Sequence, residues 1–98
     1  MKKDIEQINI EFNVAAQKSF FNVCERFEMD LGRCRHENEY IQLHAMYVEL
    51  LKSSLETAAF SMIEQYNNMY DVFLLRKAVT VHIDRYLGEF RFKYRLDV

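Results

Sequence analysis

The chain has no proline, no tryptophan and only two glycines, Gly32 and Gly88. Loop-rich and all-β folds draw heavily on both turn residues, so their scarcity points to a mainly α protein. Cysteine is also sparse. Cys24 and Cys34 are the only two, and free thiols in a cytoplasmic protein are the expectation. Apolar runs are short. The N-terminus, MKKDIEQINIEFN, begins with charge as a signal peptide does, but no apolar stretch follows. Nothing is long enough to span a membrane.

What is present is apolar and aromatic. Hydrophobic residues make up 50% of the chain, with eight Phe and six Tyr, which argues against disorder. Ninety-eight residues suffice for one domain, 1–98. The net charge of −2 is unevenly placed. Residues 1–75 hold seven Lys/Arg against twelve Asp/Glu, whereas residues 76–98 hold six against three. The simplest consequence is attraction between the two parts, within one fold or across a dimer.

Three helices are expected, at about 4–31, 38–66 and 69–87. In the first, Ile5, Ile8, Phe12, Ala16, Phe20, Val23, Phe27 and Leu31 recur at steps of three and four. Asp4 with Gln7 resembles a capping box, and Gly32 sits where a left-handed residue ends a helix. Residues 8–14 also alternate as a strand would, with Ile8, Ile10, Phe12 and Val14 on one side. The second helix has two apolar stripes. Ile41, His44, Val48, Leu51, Leu55, Ala58 and Met62 form one; Leu43, Tyr47, Leu50, Ala59, Ile63 and Tyr66 form the other. At 1.5 Å per residue this helix is roughly 43 Å long, against a radius of gyration near 13 Å for a compact domain of this size. An elongated antiparallel bundle, a long hairpin plus a third helix, follows. Asn67 and Asn68 mark the second break, and Gly88 a stop to the third helix.

Residues 89–98 (EFRFKYRLDV) alternate strictly, the pattern of a half-buried strand. A lone strand needs an edge. Residues 8–14, the tail of a second protomer or a partner protein would each supply one. Rings would then line one face and Arg91, Lys93 and Arg95 the other.

Site chemistry is faint. Cys24, Cys34, His36 and His44 lack the paired spacing of zinc ligands, and Met29, Met46, Met62 and Met69 suit core filling better than a haem or copper pocket. No metal or cofactor is expected, nor is there a glycine-rich phosphate loop. Arg76 and His82 lie six apart, a spacing that resembles the Arg-x(4–6)-His pattern of HEPN-type helical ribonucleases. Members of that family dimerise to bring Arg and His to a cleft. The resemblance implies His82 as acid or base at a ribose hydroxyl and Arg76 steadying phosphate charge. It covers seven residues, and Lys77 stands where the family often has a polar residue.

The composite expectation is a non-catalytic protein-binding module of regulator, inhibitor, adaptor or chaperone-like kind, self-associating as a homodimer. Its contact residues would be Leu43, Tyr47, Leu50, Phe90, Phe92 and Tyr94. The alternatives are the HEPN-like ribonuclease and a nucleic-acid-binding protein using the basic patch Arg91, Lys93 and Arg95.

Overall fold

A computed structural model describes residues 5–95. Three helices fill nearly all of it: α1 (Ile5–Leu31), α2 (Glu37–Tyr66) and α3 (Val72–Lys93). They run up, down and up, and each packs on the other two. Phe27 near the end of α1 meets Tyr47 early in α2 and Phe90 late in α3. Ile8, at the opposite end, clusters with Tyr66 and Leu75. The bundle measures 54 × 21 × 16 Å with a radius of gyration of 15.7 Å, so it is elongated, as the length of the second helix requires.

The strand expectations are corrected. Residues 8–14 lie inside α1, and α3 continues through Gly88 to Lys93. The reason is visible in the packing. Tyr86, Phe90 and Tyr94 fall on one side of a helix at four-residue steps, and all three are buried. A helix also satisfies its own backbone, whereas a lone strand leaves a row of unpaired amides and carbonyls. With no strand among the described residues, edge pairing in cis or between protomers has no support. The last positions of the expected strand, 96–98, lie outside the described residues, as does Asp4 of the capping box.

The helix ends also differ from expectation. Gly32 does not adopt a positive φ. Instead Arg33 and Cys34 donate their backbone N–H groups to the carbonyls of Asp30 and Leu31, tightening the last turn. α2 begins without a side-chain cap at His36. Glu39 accepts from the Arg35 amide at 3.0 Å, the reach-back half of a capping box. α3 starts at Val72 rather than Met69, because Asp71 caps it by accepting from the Phe73 amide at 2.8 Å.

Both stripes of α2 are used inside the chain. Val48, Leu51 and Leu55 from the first are buried with Tyr47, Ala59 and Tyr66 from the second, although Ile41 stays exposed. Among the described residues no polar or charged one is buried. Polar order is supplied instead at the rim of the core, where tyrosine hydroxyls reach α1. Tyr47 donates to Asp30, Tyr66 to Glu11 at 2.8 Å, Tyr86 to Asn13 at 2.7 Å and Tyr94 to Glu28 at 2.9 Å. Each ring contributes apolar area to the core while its hydroxyl fixes rotation and register.

Candidate functional site

The six residues expected to meet a partner divide sharply. Tyr47, Phe90 and Tyr94 belong to the core, and Leu43 and Leu50 pack against it half-buried. Phe92 alone is exposed, at 68%. The basic patch is likewise dispersed by the helical tail. Arg91 and Arg95, four residues apart, face a cleft, whereas Lys93 lies over the Tyr94 ring at 5.3 Å. The Arg95 guanidinium stacks 4.1 Å from the Phe92 ring centre and donates to the Phe92 carbonyl at 2.9 Å.

That cleft, about 310 Å³, opens between the start of α2 and the end of α3 and is lined by Tyr40, Ile41, His44, Arg91, Tyr94 and Arg95. The Tyr40 hydroxyl donates to the Tyr94 carbonyl and ties the two elements together. His44 packs among Phe27, Tyr40 and Phe90, with ring centres 5.5–6.2 Å away. Its Nε2 is buried without a hydrogen-bond partner among the described residues. Burial first, then the nearby Arg91 charge, pushes its pKa below the ordinary imidazole value, so it is neutral at pH 7. Beneath it, burial and the bond to Glu28 drive the Tyr94 phenol upward, and burial raises the Cys24 thiol. Tyr47 is raised by its bond to Asp30 and by burial. These groups hold their protons and support structure.

The Arg76 and His82 pair does not assemble within one chain. Six residues of helix separate them by about 120° around the axis. Arg76 is exposed, whereas His82 turns inward against Phe12, ring centres 5.7 Å apart, with Nδ1 left without a hydrogen-bond partner among the described residues. Burial and then Arg85 lower its pKa. Cys24 is buried in the core and Cys34 sits half-buried in the first turn, both free. Among the described residues no group of three or more His, Cys, Asp or Glu is placed to hold a metal ion, and no helix is long and apolar enough to cross a membrane.

The surface that sequence reasoning missed is on α1. Ile10, Val14 and Phe21 are 57%, 62% and 58% exposed. With Gln17 they follow steps of four, three and four and share a band of about 60° on the helix. Val14, Gln17, Lys18, Phe21 and Asn22 border a shallow groove there. Its signal was present: once Ile8, Phe12, Ala16 and Phe20 are assigned to the core, Ile10, Val14 and Phe21 remain as a second stripe. Comparison of the chain with family models, characterised proteins and solved structures gave no match.

Proposed function

We propose that the protein is a helical binding module that acts by docking another protein chain through apolar helix faces. The observation that carries this reading is the α1 stripe of Ile10, Val14 and Phe21. It adds nothing to the buried core of the chain that bears it, yet places three large apolar side chains side by side in water. Covering them would gain roughly 25 cal/mol per Å² of apolar surface. Regulator, inhibitor, adaptor and chaperone-like roles all work through such a surface. The edge-strand component of the expected contact is dropped, since the tail is helical to Lys93.

The test is photo-crosslinking in the native cell, with a photoreactive residue replacing Phe21 and the same group at exposed Lys52 as the control. Discrete adducts from position 21 and none from position 52 are expected. Failure to form adducts at position 21, and equally at the exposed α3 positions Phe73 and Val81, would sink the reading.

A further inference from the structure

We infer that the α1 stripe is a self-recognition surface, which pairs antiparallel with the same stripe of a second copy. This rests on the protein-binding reading and names the partner. The spacing of Ile10, Val14, Gln17 and Phe21 alternates four, three and four, which is the 3.5-residue seam that two helices share when they pack side by side. An ordinary amphipathic helix shows one wider stripe. Here the seam is separate from the buried face carrying Phe12, Ala16 and Phe20, so α1 has a side for its own bundle and a side left for another helix.

Self-complementarity decides the occupant. A two-fold axis passing beside Ala15 and Ala16 sets Ile10 against Phe21 of the second copy and Val14 against its Gln17. Large meets medium at both ends, and every contact occurs twice, as an isologous interface requires. Charge agrees with that register. Glu11 and Lys18 flank the seam on the same side, seven residues apart. In the antiparallel arrangement each Glu11 carboxylate faces Lys18 of the other copy, giving two symmetric attractions. A parallel arrangement would instead turn that flank toward the opposite flank of the second copy, setting Glu11 against Glu6 and Lys18 against Asn13, with no opposite charges brought together. The Tyr66 hydroxyl already bonds Glu11 at 2.8 Å and holds its carboxylate in position. Gln17 supplies the register. The two central layers are about 4.5 Å apart along the axis, so the two Gln17 amides, one in each layer, reach each other only when the layers match.

The size of the contact sets the strength. Four layers cover about 17 Å of helix, which places the interface at the small end of specific contacts. The association is therefore micromolar and concentration-dependent rather than permanent.

The experiment is sedimentation equilibrium of the full chain from micromolar to millimolar concentration, with the helical melt recorded for every variant. Wild type is expected to pass from monomer to dimer. Phe21→Glu and Val14→Glu should each weaken the dimer by at least about tenfold, while Phe73→Glu, at a more exposed ring on α3, leaves it unchanged. Charge reversal tests the register without touching the apolar seam. Lys18→Glu alone and Glu11→Lys alone should each weaken self-association by several-fold, and an equimolar mixture of the two variants should restore it as a heterodimer. Because Glu11→Lys also loses the Tyr66 bond, its melt must show a folded chain, and Glu11→Gln serves as a second variant. A chain monomeric at every concentration overturns the pairing, as does a dimer that ignores the α1 changes but breaks with Phe73→Glu. Either result leaves the wider reading to the crosslinks, where adducts of another mass from position 21 would keep it alive.

Discussion

The two ends of the bundle are built differently. At the end where α1 finishes, Phe27 is fully buried and meets five rings, Tyr40, His44, Tyr47, Phe90 and Tyr94, with centres 4.6–6.2 Å away. At the other end the core narrows to Ile8, Tyr66 and Leu75, while Met69, Phe73 and Leu74 beside them are exposed. The first end is held by interlocked rings, each pair worth about 0.5–1.5 kcal/mol beyond its buried area. The second is held by a few aliphatic contacts, buried Tyr66 with half-buried Tyr70, and a capped helix start. Stability is therefore concentrated where α3 finishes, and local opening belongs to the end where α3 starts.

Phe27→Ala should break this contrast most severely. Removing the ring that every neighbour shares should cost about 3–5 kcal/mol, read as a loss of global stability in denaturant melts. Leu75→Ala comes next, at about 2–3 kcal/mol. Its signature differs: amide exchange should accelerate first in residues 66–80, with the aromatic end still protected. Uniform acceleration along the chain would mean that the two ends open as one unit.

Acid should act on the aromatic end and the middle of the bundle. His44 and His82 both have pKa values lowered by burial, with Arg91 and Arg85 adding repulsion. The unfolded chain takes up these protons near the ordinary value of 6.5, whereas the folded chain resists them to lower pH. Stability is thus fully present above that value and declines as pH falls through the lowered folded values. His44→Phe, which keeps a ring against Phe27 and Phe90, should flatten part of that decline; an unchanged pH profile would remove His44 from the account.

Much of this architecture was legible in the residues. The three helices, the polar turn at Gly32 and the break at Asn67 follow from periodicity and turn chemistry, and the length of the middle helix gave the elongation. The tail was ambiguous for a physical reason. Phe90, Phe92 and Tyr94 satisfy a strand's alternation, while Tyr86, Phe90 and Tyr94 satisfy a helix's four-residue step. The choice between them depends on whether Phe27 and Tyr40 are there to receive the rings, a tertiary fact. The contact residues suffered likewise. An apolar side chain on a two-striped helix reads the same whether its cover is α1 or a partner, and the pattern of α2 does not show that Asp30 and Phe27 hold Tyr47.

Smaller changes sharpen the contrast at the helix termini. Asp71→Ala removes the carboxylate that caps α3, leaving the Phe73 amide without its acceptor. It should cost about 1 kcal/mol. Because Asp71 belongs to the thin end, the loss should again fall on exchange near the start of α3.

Gly88→Ala is the smallest change and has the opposite sign. Gly88 lies inside α3 among the residues that seal the aromatic end, its φ is not positive, and, beyond its chain neighbours and its own helix backbone, an added Cβ meets nothing within 4 Å among the described residues. Glycine in a helix interior costs roughly 0.5–1 kcal/mol relative to alanine, chiefly because the unfolded chain has more freedom to lose. The substitution should therefore stabilise by about that amount with no change in the rings it flanks. The same change at Gly32 should give less, since that residue ends a helix and a Cβ there lies 3.6 Å from the Met29 carbonyl, an ordinary contact. If Gly88→Ala instead destabilises, the segment after Leu87 is not helical in solution. The aromatic end would then lack the continuous helix that delivers Phe90 and Tyr94 to Phe27, and the asymmetry between the two ends would have to be drawn again.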